Sequence, residues 1–259
     1  MERDGLSGRV IVITRPERQA DGLAARLLRF GAEPLSLPAI AVMPLQDDSA
    51  LKRARAEIAS YDFAMFVSAN AVEYALSGGL SLPVSMTVLA PGAGTAKALR
   101  ARDVPEAQIV MPAACFDSEG LLMLPLLRDM RGKRVVIFRG ESGREHFAEV
   151  LTERGATVTR VACYRRTLPP PPSECLRQKL GQAKLDGIVF TAGEAVENLE
   201  RMLDERTLDR LKQLPAFVIH PRIGKRAAAY SWKPVIAAGG DDELIGVMNV
   251  YFRNNVNRQ

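Results

Sequence analysis

Arg9–Thr14 reads RVIVIT, and Arg134–Phe138 reads RVVIF. Each is an unbroken run of apolar and β-branched residues, the pattern of a strand buried on both faces. After the first, Pro16 favours a helix start. Leu23, Leu27 and Phe30 then form a helical stripe, and Gly31 is a fitting stop. After the second, Arg144–Arg154 repeats the stripe and Gly155 the stop. Further strands are expected at Phe63–Val67, Met86–Leu89, Gly187–Phe190 and Phe217–Ile219, each followed by a helix. Strands alternating with helices imply an α/β fold with parallel sheets covered on both faces. Pro125, inside LLMLPLLRDM, predicts a break.

The two strand runs belong to a longer repeat. A slide of 124 positions places Val12, Ile13 and Arg15 on Val136, Ile137 and Arg139. It also places Leu27, Gly31 and Ala32 on Leu151, Gly155 and Ala156, and Ala71-Val72-Glu73 on Ala195-Val196-Glu197. Phe66 falls on Phe190, and Asp117 and Glu119 on Asp241 and Glu243. Pro91 and Gly94 match Pro221 and Gly224 only at a slide of 130, which predicts an insertion within Met202–Leu214 and a later deletion. The chain therefore reads as two related halves. Proline-bearing segments occupy equivalent places: Pro34, Pro38 and Pro44 in one, Pro169 to Pro172 in the other. Prolines make semi-rigid extended spacers, so both are candidate crossings between domains, or else surface loops.

Composition narrows the function. The chain has 259 residues, enough for one large domain or two modest ones. Its net charge of +5 suggests an anionic partner. Lys and Arg are dispersed and few aromatics accompany them, so nucleic acid is not expected. Cys115, Cys163 and Cys175 have no CxxC spacing, and His146 and His220 have no cluster around them. Neither a disulfide framework nor a metal site is expected, and a reducing cytoplasm suits the chain. MERDGLSGRVIV is not a signal peptide, and no apolar run approaches the ~20 residues that span a bilayer. A dinucleotide enzyme would need a glycine-rich loop after the first strand, where TRPERQ stands.

Helix N-termini at the carboxyl edge of parallel strands offer free N–H groups to anions. Such ends are expected after Ile13, Val67, Ala90, Phe138, Phe190 and His220. The residues there are Arg15; Ser68, Ala69 and Asn70; Gly94 and Thr95; Arg139, Gly140 and Glu141; Thr191, Ala192 and Gly193; and Pro221, Arg222 and Ile223. Hydroxyl and small residues let backbone approach a ligand, and Arg15, Arg139 and Arg222 add forks for carboxylates. The alternatives are plain helix caps for Ser and Thr and solvated charges for Arg. His146 reads as a surface residue and Cys163 as a small packed one.

Several segments, in order, resemble the uroporphyrinogen-III synthases. They are VIVITRPERQADGLAARLLRFGAEPLSLPAIAVMPL, FVSANAVEYAL with its F-[TS]-S-x-x-A-V pattern, VLAPGAGTAKAL, VACYRRT, VFTAGEAVENL and VIHPRIGKRAAA. The resemblance runs from about residue 9 to residue 250. It implies two similar parallel-sheet α/β domains joined by two extended linkers, with 1–38 plus 166–259 as one domain and 39–165 as the other. It implies a cofactor-free lyase that cyclises hydroxymethylbilane with inversion of the last ring, acting as a cytoplasmic monomer. Hydroxymethylbilane carries eight carboxylates, so shape and anion donors matter more than a nucleophile. Tyr164 holds the family's tyrosine position and is the candidate proton donor; otherwise it is a packed tyrosine. Thr95 holds a family hydroxyl position, whereas Ile223 stands where relatives carry threonine. A non-catalytic two-domain sensor or binding protein on the same fold is the alternative function.

Overall fold

The computed structural model describes residues 5–113, 117–237 and 239–256. Its strands are β1 Val10–Ile13, β2 Glu33–Ser36, β3 Ala41–Pro44, β4 Phe63–Phe66, β5 Thr87–Leu89 and β6 Ile109–Val110. They continue as β7 Arg134–Gly140, β8 Thr157–Thr167, β9 Gly187–Phe190, β10 Pro215–Val218 and β11 Lys233–Ile236. The helices are α1 Glu17–Arg29, α2 Ser49–Ala56, α3 Ala69–Ala75, α4 Ala93–Arg100, α5 Ser118–Leu122 and α6 His146–Glu153. Then come α7 Glu174–Gln182, α8 Gly193–Met202, α9 Glu205–Lys212, α10 Pro221–Ala229 and α11 Asp241–Val256.

The chain divides into two compact units, Met1–Ala41 with Thr167–Gln259, and Val42–Arg166. The first holds a five-stranded sheet in the order β11-β10-β9-β1-β2, and the second a six-stranded sheet ordered β3-β8-β7-β4-β5-β6. In the first unit β1 lies between β9 and β2 and is parallel to both. Its side chains Ile11, Val12 and Ile13 are all buried. Ile11 and Ile13 pack with Leu23 and Leu27 of α1 and with Leu244, Met248 and Phe252 of α11. In the second unit Ala64, Phe66, Val136 and Phe138 face one apolar cluster, while Phe63, Met65, Val135 and Ile137 face another. Both faces of these central strands are thus dry, which is why their sequence reads as continuous apolar runs.

The slide of 124 appears as register. Val10 pairs with Glu33 and Arg134 with Thr157; Ile11 pairs with Gly187 and Phe63 with Val135. Gly31 and Gly155, at φ +73° and +95°, end α1 and α6 in the left-handed conformation. One alignment needs correction. Ala64 pairs with Val88 and Ile188 with Ala216, and Gly92 caps α4 as His220 caps α10. The shift there is 128, not 130, so Pro221 answers to Ala93 rather than to Pro91. A proline and a glycine recur in many turns and are weak anchors for an alignment. The extra length is α9, with only turns and loop in its place between α3 and β5.

Other boundaries moved by a residue or two. Pro16 is the cap of α1, not its first residue. Phe30 leaves the stripe: it follows the last helical residue and stands exposed. The strand expected at Phe217–Ile219 runs Pro215–Val218. α5 ends at Leu122, before Pro125 opens a 3-10 turn. Cys115 lies outside the described residues.

Candidate functional site

In the second unit β4, β7 and β8 end around a concavity of about 420 Å³. Met65, Ile137 and Phe147 are among its apolar lining, and Ser68, Tyr164, Arg139, Arg144, Arg160 and Arg166 are among its polar lining. Parallel strands converge their helix starts and loops at this edge, the usual ligand crevice of α/β sheets.

Tyr164 reaches the concavity through a break in pairing. Arg139 lies opposite Ala162, but Gly140 lies opposite Tyr164, so Cys163 is the extra residue of a β-bulge. A bulge re-aims side chains. Here it puts two consecutive residues, Cys163 and Tyr164, into one apolar cluster, against the two-residue alternation of a strand. Tyr164 is 2% exposed. Its hydroxyl lies 3.1 Å from Ser68 Oγ. Its ring meets Tyr74 at 5.8 Å between centroids. Gly140 permits this placement, because a Cβ there would stand 3.1 Å from Tyr164 Cε2 and Cζ.

Ser68 has both roles considered for it. It caps α3, accepting from the Ala71 N–H at 3.2 Å, and its Oγ also meets Tyr164. A hydroxyl with one donor and two acceptor sites can satisfy both. Ala69 and the buried Asn70 follow inside α3. Gly94 and the buried Thr95 lie in the first turn of α4. Pro91, rather than these two, lines the concavity.

Arg139, Gly140 and Glu141 do not stand at a helix start. β7 keeps its pairing through Gly140, the Glu141 N–H donates to Tyr164 O at 2.8 Å, and α6 begins only at His146. The Arg139 side chain is 11% exposed and donates to Glu145 Oε1. Arg160 donates from Nε to Glu145 Oε2 at 2.9 Å. Arg139 above all holds the Glu145 carboxyl below the usual carboxylate range. Sequence reasoning missed Arg160 and Glu145. Alternation along β8 could have flagged Arg160, but nothing in the sequence pairs Arg139 with Glu145.

In the first unit Arg15 donates from both Nη atoms to the two Asp241 oxygens, so its fork is already filled. Ala192, not Thr191, caps α8, and it lacks a side-chain acceptor. Gly193 begins that helix. Pro221, Arg222 and Ile223 open α10, where His220 Nδ1 accepts from the Arg222 N–H at 3.0 Å. His220 is thus a cap. His146 is the exposed first residue of α6. Cys163 is buried and Cys175 exposed. Among the described residues, no three His, Cys, Asp or Glu side chains gather as a metal site. No helix among them is long and apolar enough to cross a membrane.

The family model described as uroporphyrinogen-III synthase HemD matches residues 21–243. The chain belongs to the uroporphyrinogen-III synthase family. The uroporphyrinogen-III synthase of Escherichia coli is 30% identical over 239 residues, covering 90% of this chain and 96% of that protein. That of Salmonella typhimurium is 29% identical over 237 residues, with the same shares covered. A mutant uroporphyrinogen III synthase from the extreme thermophile Thermus thermophilus aligns with a TM-score of 0.59 over 97% of this chain and 100% of its own. At 19% identity that likeness bears on the fold alone. The hydroxyl pair, the bulge and the arginines of the concavity are therefore features of a uroporphyrinogen-III synthase family chain.

Proposed function

We propose that the chain is a lyase that converts hydroxymethylbilane to uroporphyrinogen III, a cofactor-free dehydrative cyclisation that inverts the last ring. The observation that carries this reading is family membership along nearly the whole chain: 30% identity to a uroporphyrinogen-III synthase over 90% of the residues. The chemistry of the concavity agrees with it. The substrate loses a hydroxyl as water and carries eight carboxylates. The second unit offers a phenol beside a serine hydroxyl, with arginines around them.

In this reading Tyr164 gives its proton to the departing hydroxyl, and Ser68 orients the phenol. The phenolate recovers a proton when the closed ring loses one, so the cycle balances without an external acid. The other substrate contacts are Arg15, Ala69, Asn70, Gly94, Thr95, Arg139, Gly140 and Glu141, with Thr191, Ala192, Gly193, Pro221, Arg222 and Ile223. Arg15 and Arg139 would have to exchange their present carboxylate partners to serve. The domain reading is 1–38 plus 166–259 and 39–165. The division of contacts at Ala41/Val42 and Arg166/Thr167 supports it. The working form is a cytoplasmic monomer.

One assay tests the function. The purified chain is supplied with hydroxymethylbilane from a generating enzyme, and the cyclic isomers are separated. Accumulation of the type III isomer is expected. The type I isomer alone, at the spontaneous rate, would favour a non-catalytic role.

A further inference from the structure

We propose that Arg139 and Arg160 form a clamp for one acid arm of the substrate, and that Glu145 competes with that arm for the same two guanidinium groups. The proposal rests on the function given above and adds to it a subsite and a residue that tunes its affinity.

The geometry is that of a shared carboxylate. Glu145 Oε1 accepts from Arg139 and Oε2 from Arg160, so one carboxylate bridges cations on adjacent strands. Both arginines line the concavity, whereas Glu145 is absent from its lining and its side chain is 48% exposed. Glu145 ends the exposed segment Glu141–Glu145, just ahead of α6. Within that segment Gly143 backs onto Arg139: a Cβ there would stand 2.9 Å from Nη2. The arginine is thus held against backbone, while its carboxylate partner hangs at the rim.

The other unit shows that the fold does not require this pair. Arg15, the counterpart of Arg139, is closed by Asp241 in the first turn of α11. The counterpart of Asp241 is Asp117, which lines the concavity but accepts from the Gly120 N–H at 2.8 Å. The counterpart of Arg160 is Ser36, so the first unit has no second cation at this place. The second unit thus places two guanidinium groups around one exchangeable carboxylate. Exposed ion pairs bind weakly, and a carboxylate of the substrate makes the same fork-type bonds as Glu145. Glu145 stays ionised through the neutral range, its carboxyl held low chiefly by Arg139. It therefore competes as an anion wherever the substrate arm is one. The concavity suits one substituted pyrrole rather than a whole tetrapyrrole, so the clamp addresses one ring.

Steady-state kinetics on three variants test this. Glu145→Gln removes the competing charge and should lower KM for hydroxymethylbilane, by roughly threefold to tenfold. Arg160→Gln should raise KM by a similar factor. In the double variant the gain from Glu145→Gln should be lost, because the clamp is gone. Melting temperatures are read alongside: a merely structural ion pair would shift Tm and leave KM in place. An unchanged or raised KM in Glu145→Gln, or the same gain in the double variant, overturns the clamp while leaving the function standing. Absence of the type III isomer with the unsubstituted chain overturns both.

Discussion

β1 with its neighbours and β7 with its neighbours are the same local structure built twice. β1 pairs with β2 and β9 in the register that β7 uses with β8 and β4. The Val10 N–H donates to Asp186 and the Arg134 N–H to Asp62, at matching places. Asn198 of α8 and Tyr74 of α3, also matched, each donate to a backbone carbonyl near the unit boundary, of Ala39 and Val42. The units part company at the carboxyl ends of the strands. Where the second has Ser68, Gly140, Arg160 and Tyr164, the first has Ala192, Pro16, Ser36 and Ile40. One unit keeps the fold without the hydroxyl pair and the second cation. Those residues are therefore not what the fold needs, and that makes them the better candidates for chemistry.

The largest expected effect follows from the hydroxyl pair. Tyr164→Phe should lower kcat by about 10- to 100-fold, at or below the lower limit of the ~10²–10⁴-fold that a positioned acid contributes, because the pyrrolic hydroxyl leaves readily. The ring remains to fill its place, so Tm should stay near that of the unsubstituted chain. Turnover within about twofold would make Tyr164 a packing residue, equivalent in kind to Ile40. Next in size is Gly140→Ala. Its Cβ presses on the Tyr164 ring at 3.1 Å. Overpacking of this kind typically costs about 1–3 kcal/mol. A several-fold loss of kcat should accompany a lowered Tm. If kcat is untouched while Tm falls, the placement of the phenol is not what limits turnover.

The matched carboxylates Asp186 and Asp62, which accept from the Val10 and Arg134 N–H groups, sharpen the comparison from the stability side. The Asp186 side chain is 7% exposed and accepts from the Arg9 guanidinium as well as the Val10 N–H. Asp62 is 40% exposed, with Lys133 3.5 Å away. Asp186→Ala should cost about 1.5–3 kcal/mol, since it strands a half-buried donor and a cation. Asp62→Ala should cost less than about 1 kcal/mol. Urea unfolding of both variants measures the difference. Equal costs would mean that burial does not distinguish the two carboxylates.

These contrasts also show what could be read from the residues alone. The central strands were legible because burial on both faces leaves an apolar run with no alternation to misread. The repeat was legible because Arg15 and Arg139, or Gly31 and Gly155, sit where backbone geometry recurs. Edge strands such as β6 and β11 were not, since half-exposed residues carry little pattern. The bulge at Cys163 was hidden as well: it is a property of pairing with β7, and nothing within VACYRRT marks an extra residue. Of the candidates in the second unit, Ser68, Arg139, Gly140 and Tyr164 line one concavity. Their partner Glu145 could not be foreseen, because an ion pair to a rim residue depends on how an exposed segment lies. The match at 130 misled because Pro91 and Pro221 serve neighbouring positions of similar turns.

The smallest effect is expected at the bulge itself, and at neutral pH it nearly vanishes. Cys163 has Ala39 as its counterpart, so the first unit tolerates a methyl group there. Burial pushes the Cys163 thiol up from 9.0 to about 12. Its Sγ donates to Val161 O at 3.4 Å, as the neutral form must. Below pH 9 the thiol is protonated in both folded and unfolded chains, so it contributes no pH dependence. Between about 9 and about 12 the unfolded chain has lost that proton and the folded chain has not. The unfolded state then binds fewer protons, and stability falls as pH rises, by at most about 1.4 kcal/mol per pH unit. Cys163→Ala removes this contribution. Urea unfolding at pH 8 and at pH 10 should therefore show a larger alkaline loss in the unsubstituted chain than in the variant. Other groups titrate in both proteins and cancel in the difference. Iodoacetamide at neutral pH, followed by peptide mapping, should label the exposed Cys175 and spare Cys163. Parallel alkaline losses together with rapid labelling of Cys163 would mean that the bulge opens in solution, and the buried setting of Tyr164 beside it would fall too.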